Sequence, residues 1–333
     1  MAVAEALRER GVRVSFAGSP DRLEARLVPD AGFEFDAFRV CGFPREPSIA
    51  LLRALARAAK APFACREILD RRRPHVVLGG GGYVAGPMVL AAWTRSIPAA
   101  LTEADAHLGL ANRLALPFAR RVFCAFPIEG RDGPKFRVTG RPVPARSRPT
   151  SREEGRRRFG LPADGPALLV FGGSQGARSL NELAVEAFGE SGPAVLHLSG
   201  ERDYPSLRPR IERPDYRLVA YTAEFGAALA ACDLALCRAG GSVFDLAAAG
   251  LPAVLVPYPY ATADHQTKNA RFFERAGAAL VLSHAELGRA PGLVRDLLGD
   301  PERLRAMAER MRAVARPNAA DEIAEELIAL AAA

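Results

Sequence analysis

The chain has 333 residues, 49% of them apolar and 25% charged, a balance that fits a globular protein of about two domains and excludes disordered, collagen-like and disulfide-framework classes. Its apolar runs fall short of the ~18 residues of a membrane span, and the charged opening MAVAEALRERG does not read as a signal peptide. The formal net charge of +7, carried almost wholly by arginine, points to phosphate-bearing or anionic-surface partners, while few aromatics and no recognised motif argue against nucleic acid.

Residues 2–10 read as a helix closed by Gly11, and residues 12–17 as a strand. A doubly wound α/β domain has a strand and a glycine turn ahead of its first helix, and this chain opens inside that helix. Over 48–60, Ser48 is placed to cap a helix. Ile49, Leu52, Leu55 and Ala59 share one face, and Arg53, Arg57 and Lys60 form a neighbouring basic stripe. A core-facing helix with a solvated side explains the stripe, and so does contact with anionic lipid. A strand at 75–78 leads into Gly79-Gly80-Gly81-Gly82-Tyr83-Val84-Ala85-Gly86-Pro87, with Pro87 in the first turn of a helix that runs to about Arg95. Four successive glycines are conformationally costly in a plain turn, so a ligand close to the backbone is expected there. The strand that begins at Ala99 delivers Glu103, Asp105 and His107 to the carboxyl edge of the sheet. Parallel α/β sheets bind ligands at that edge, and two carboxylates beside a histidine suit acid–base work.

The Pro- and Arg-rich segment 138–150 divides the chain. The expected organisation is a first domain over 1–143, a second over 144–316 and a terminal helix over 317–333. Ser151 starts a helix. The apolar run 167–171 reads as a buried parallel strand, broken by Gly172-Gly173-Ser174-Gln175-Gly176, with a helix from Ala177. Strand, glycine turn and helix start together suit an anion site, although the loop is neither G-x-G-x-x-G nor a Walker loop, and a tight strand–helix turn with no ligand is the alternative reading. Strands follow at 195–199, 217–220 and 234–237, with a helix at 223–231. A second strand–glycine–helix unit spans 237–252: Arg238 precedes Gly240-Gly241-Ser242, the helix starts near Gly241, and Gly250 and Pro252 end it. Asp245, on that helix's first turns, is placed to accept ribose hydroxyls or simply to complement the helix dipole. After a strand at 253–257, residues 259–270 gather His, Gln, Thr and Asn, which suit sugar hydroxyls. Pro317 separates two helical segments in the tail. The five cysteines (Cys41, Cys65, Cys124, Cys232, Cys237) are odd in number and lack C-x-x-C, so reduced core thiols are expected.

The motifs GGYVAGP (81–87), GGSQGAR (172–178), RAGGSVFDLAAAGLP (238–252) and DHQTKNA (264–270), in this order over nearly the whole chain, resemble the MurG family. These are the N-acetylglucosaminyltransferases that convert lipid I to lipid II in peptidoglycan synthesis. The resemblance implies an α/β protein of the GT-B fold, with two Rossmann-like domains whose parallel sheets face across a cleft. It implies UDP-GlcNAc held mainly by the second domain, lipid I as acceptor, and an anionic membrane surface at the cytoplasmic face. No metal or other cofactor is expected, since no His/Asp/Cys set has metal-ligand spacing.

Carried over by motif, Ser174, Gln175, Gly176, Arg238, Gly241 and Ser242 meet the donor phosphates. Thr222 lies at the uracil, Asp245 replaces a glutamate on the ribose, and Gln266 and Asn269 read the GlcNAc hydroxyls. Gly81, Gly82 and Tyr83 belong to the acceptor side. Three departures matter. Thr102-Glu103-Ala104-Asp105 stands for the family's His-Glu-Gln-Asn, which puts Asp105 in a donor-binding place. Gly140-Arg141-Pro142-Val143-Pro144 lacks a closing arginine, leaving Arg141 or Arg146 to substitute. The family's first strand and its glycine-rich loop ending in histidine would precede Ala2, and without that histidine the base candidates are Asp105, Glu103 and His107. Two rival readings are a UDP-GlcNAc epimerase, which needs no lipid acceptor, and a nucleotide-sugar binding protein without turnover. The basic stretch 48–60 and the glycine run at 79–82 favour the transferase.

Overall fold

The computed structural model describes residues 1–40, 49–173 and 176–332. The chain divides into two compact units, Met1–Pro142 with Asn318–Ala333, and Val143–Pro317. In the first unit β1 (Ser15–Gly18) pairs in parallel with β2 (Glu34–Ala37). Separately, β3 (Val77–Gly79), β4 (Ala99–Glu103), β5 (Arg121–Cys124) and β6 (Phe136–Val138) form a parallel sheet in chain order. No ladder joins β1 to β3 among the described residues. The two sheets are nonetheless bound into common cores. Val14, Val76, Leu78, Ala100 and Phe123 pack in one cluster with Ala6 and Leu7 of the first helix and Ile323, Ala324 and Leu327 of the last. Ala17, Phe38 and Val40 pack in another with Val77, Val89 and Leu101.

The terminal helix Ala319–Ala332 is thus a structural part of the first unit, and ion pairs from Arg10 to Asp321 (2.9 Å) and Arg121 to Glu326 (3.3 Å) fasten it there. The helix Ile49–Arg72 continues past Pro62 for a further ten residues, down to a double clamp of Arg71 and Arg72 on Asp36. Ser48 lies outside the described residues, as do the side chains of Arg53, Arg57 and Lys60.

In the second unit β7 (Ala167–Phe171), β8 (Ala194–Leu198), β9 (Tyr216–Val219), β10 (Leu234–Cys237), β11 (Ala253–Leu255) and β12 (Ala279–Val281) make a fully parallel sheet, ordered β12-β11-β10-β7-β8-β9. Leu168, Val170, Val195, Leu234, Leu236 and Val254 are wholly buried, as expected of strands covered on both faces. Cys65, Cys124, Cys232 and Cys237 are free and buried.

Candidate active site

The second unit's strand order decides where a ligand binds. From β7 the chain builds outward through β8 and β9, then returns to β7's other side and builds through β10, β11 and β12. The loops after β7 and β10 therefore leave in opposite directions and open a crevice at the carboxyl edge, the usual ligand position of such sheets. Past β7, the described residues on either side of the loop come back together. Gly176, with φ +71°, donates its N–H to the Gly173 carbonyl at 3.0 Å. The helix Arg178–Phe188 then begins with Ala177 at its cap and no side-chain cap, so its first N–H groups have no partner within the helix. Ser174 and Gln175 lie outside the described residues.

Arg238 joins this loop to the next one. Its side chain is buried and donates to the Val256 and Pro257 carbonyls (3.1 and 3.0 Å) and to Ser179 Oγ (2.9 Å) on the first turn of the helix Arg178–Phe188. The Tyr258 ring lies 5.6 Å from the guanidinium carbon. No carboxylate is among these partners, and burial lowers its pKa. A buried cation held only by neutral oxygens is a strong locus for an anion. The helix expected from Gly241 begins later, at Val243, and ends at Ala249 with Gly250 left-handed at φ +65°. Gly241 and Ser242 form a turn instead: the Val243 and Phe244 N–H groups donate to the Gly240 and Gly241 carbonyls at three-residue spacing, and the four-residue ladder starts only with Leu246 N–H on the Ser242 carbonyl.

Asp245 lies on the first turn of that helix, half-buried. Gln266 accepts the Tyr258 N–H at 2.9 Å through Oε1, and its Nε2 is turned towards Gly240. Asn269 is fully buried, and its Nδ2 donates to the Ala239 carbonyl at 3.3 Å, supporting the loop from below. Thr222, half-buried after β9, accepts the Glu224 N–H at 3.0 Å.

The first unit gathers a second group at the ends of β3 and β4. Glu103 is buried, and its carboxylate accepts from the Asp105 N–H (3.2 Å), the Gly109 N–H (2.9 Å) and Asn112 Nδ2 (2.8 Å). It ties the turn that presents Asp105 and His107, both half-buried. The sequence pattern gave no sign of Asn112, which also donates to the Thr102 carbonyl at 2.9 Å. The helix after β3 starts at Gly82, not at Pro87, which lies inside it. The close seat of Ala85 and Val89 against Gly79 and Leu101 holds those extra turns despite the proline. Gly81 caps the helix at φ +88°, Gly82 follows at φ +67°, and the Tyr83 hydroxyl accepts from Arg22 Nε at 3.0 Å. Arg141 is exposed just before the boundary between the units, and the side chain of Arg146 lies outside the described residues.

The sequence matches the Glycosyltransferase family 28 N-terminal domain over residues 1–124 and the C-terminal domain of the same family over 167–326. The UDP-N-acetylglucosamine–N-acetylmuramyl-(pentapeptide) pyrophosphoryl-undecaprenol N-acetylglucosamine transferase of Rubrobacter xylanophilus is 42% identical, covering 98% of both chains. Its counterpart in Halothermothrix orenii is 37% identical over 95% of this chain and 91% of its own. The chain belongs to the MurG family. The solved structure of Acinetobacter baumannii MurG superposes on this MurG-family chain with a TM-score of 0.78 at 28% identity, covering 98% of this chain and 94% of that one. The two α/β units are therefore those of a GT-B glycosyltransferase. A Neisseria meningitidis UDP-GlcNAc 2-epimerase is also similar, with a TM-score of 0.68 at 14% identity over 98% of this chain and 95% of its own. That level of identity shows a common fold only.

Proposed function

We propose that this MurG-family chain is an inverting glycosyltransferase that moves GlcNAc from UDP-GlcNAc to the muramyl 4-hydroxyl of lipid I, forming lipid II. The observation that carries the donor half is Arg238, buried at the switch point, with only neutral hydrogen-bond partners among the described residues, and linked to the helix start at Ser179. A diphosphate supplies the missing negative charge. As the acceptor oxygen bonds to the anomeric carbon, the bond from that carbon to the β-phosphate oxygen breaks and charge gathers on UDP. The N–H groups at the start of the helix Arg178–Phe188, together with Arg238, stabilise that charge as it develops. Asp245 takes the ribose hydroxyls and Gln266 the sugar, while Asn269 acts through the Ala239 backbone that it holds.

The acceptor proton goes to Asp105 or His107. Glu103 already receives three hydrogen bonds and serves to position that turn. Tyr83, with Gly81, Gly82 and Arg22 beside it, forms the acceptor side. An anionic membrane surface at the cytoplasmic face presents the lipid. This reading is supported by Phe63, Trp93, Leu110 and Leu114, large apolar side chains each more than half exposed on the first unit. Arg66 lies over the Phe63 ring and bonds to Thr94, next to Trp93. Among the described residues no helix is long and apolar enough to cross a membrane.

The test is UDP release by the purified chain from UDP-GlcNAc with and without lipid I. Release that depends on lipid I is expected. Conversion of UDP-GlcNAc to UDP-ManNAc without acceptor overturns the assignment. Removing the true base, by Asp105→Asn or His107→Asn, lowers kcat by about 10²-fold or more with little change in KM, and near-normal turnover in either variant removes that residue.

A further inference from the structure

Beneath the donor loop runs a buried polar chain that the sequence motifs do not include. His197, on β8, is wholly buried, with Nε2 3.0 Å from Asn181 Oδ1 and Nδ1 2.9 Å from the Tyr216 hydroxyl. Asn181, on the helix Arg178–Phe188, gives one amide hydrogen to the Ser199 carbonyl and the other to Asp203 Oδ2, each at 2.9 Å. A carbonyl and a carboxylate can only accept, so the orientation of the amide is determined and its Oδ1 faces His197. Nε2 must therefore carry the histidine hydrogen, and Nδ1 must accept from the Tyr216 hydroxyl. Every bond points one way: Tyr216 to His197, His197 to Asn181, Asn181 to Ser199 and Asp203. Burial independently favours the neutral ring, holding its pKa down at about 3.

The end of this chain bears on the glycine loop. A Cβ added to Gly176 would lie 2.1 Å from the Ser199 oxygen, and the next heavy atom outside Ser199 would be Asn181 Nδ2, at 3.5 Å. The carbonyl that Asn181 holds is thus the surface on which Gly176 rests. Where Gly176 rests sets where the following N–H groups point. We propose that His197, with Tyr216 behind it, is a positioning residue for donor binding, acting through Asn181 and the Ser199 carbonyl on the backbone that receives the diphosphate. This rests on the donor-site reading above.

The experiment compares UDP with uridine, which lacks the phosphates, by calorimetric titration of the full chain. In His197→Leu, Asn181 loses its incoming hydrogen bond, and the Kd for UDP rises about tenfold while that for uridine is unchanged. His197→Gln, whose amide nitrogen reaches the position of Nε2, restores UDP affinity, whereas His197→Asn is too short to do so. If His197→Leu does not fold, Tyr216→Phe removes a single oxygen and raises the UDP constant about threefold, again without change for uridine. Nitrogen-15 spectra should show hydrogen on Nε2 and none on Nδ1 at neutral pH. Equal losses for UDP and uridine, unchanged UDP affinity in the folded variants, or the opposite tautomer overturns the relay. Failure of the unmodified chain to bind UDP overturns the donor-site reading itself and the relay with it.

Discussion

Glycines make up much of the motif signal, and the structure gives them different duties. Gly172 leaves no room for a side chain: an added Cβ would meet the Ala177 Cβ at 2.3 Å. Gly176 is closed off by the Ser199 oxygen and is left-handed as well. Gly173, at φ +89°, has nothing among the described residues within 4 Å of an added Cβ. Gly176→Ala therefore combines backbone strain with a clash against a main-chain oxygen, and a loss of about 2 kcal/mol or more is expected in urea unfolding. Gly173→Ala carries only the conformational cost, about 1 kcal/mol, but places a methyl where a phosphate would approach. Its signature is a larger loss of UDP affinity than of stability, measured on the same preparation. The glycine run after β3 divides in a similar way. Gly79 is small because Leu101, Ala85 and Val89 crowd it, whereas Gly81 and Gly82 supply positive φ. Sequence alone groups these residues as one ligand loop, since it does not reveal which neighbours approach from elsewhere in the fold.

Among the elements, those read closest to their true limits are the apolar runs that end in a glycine turn. The strand expected at 234–237 is β10 itself, and the run at 167–171 is β7. The helix after Ser151 was legible from its cap: Ser151 Oγ accepts the Glu154 N–H at 3.1 Å, and Gly160 closes the helix in the left-handed region. Ser151→Ala should lower the unfolding free energy by about 1 kcal/mol with no change in UDP affinity, since this helix supports the unit from outside the crevice. It carries Arg156, buried and bonded to the Ala231, Pro162, Ala163 and Gly165 carbonyls as well as Asp233. Elements without such punctuation were not legible. β2, β5, β6 and β12 are three or four residues long, too short for periodicity to show, and they exist because neighbouring strands supply their ladders.

For the molecule as a whole, buried charge equilibria govern the response to acid. His197 has an ordinary pKa near 6.5 when unfolded and about 3 when folded, so between these values the unfolded chain binds the extra proton. Stability from this group is fully present above about pH 6.5 and is lost as pH falls towards 3, by ~1.4 kcal/mol per pH unit. Asp203 and Asp215, held below the ordinary carboxylate range by Arg202 and Arg213, add a loss of the same sign below about pH 4. Urea unfolding between about pH 7 and about pH 5 should show the histidine slope in the unmodified chain and a flatter profile in His197→Gln. At the first unit's surface, Phe63→Ser with Trp93→Ser should weaken binding to phosphatidylglycerol vesicles about tenfold or more and leave UDP affinity unchanged. Equal vesicle binding by the two proteins would remove these rings from the membrane contact.

The order of apolar runs, glycine turns and caps marked two Rossmann-like α/β units and the glycine loops proposed for the donor, and the four motifs carried the resemblance to the family, because those features are local and each has its own backbone chemistry. Contacts across the sheets assigned individual duties. A motif does not show that Glu103 is enclosed by three donors, that Asn269 faces the Ala239 carbonyl, that Arg238 has only neutral hydrogen-bond partners among the described residues, or that His197 bonds the Asn181 that lies beside Gly176. Whether a polar side chain meets a ligand or holds the loop that meets it depends on burial and on partners distant in sequence, which exist only once the strands have paired.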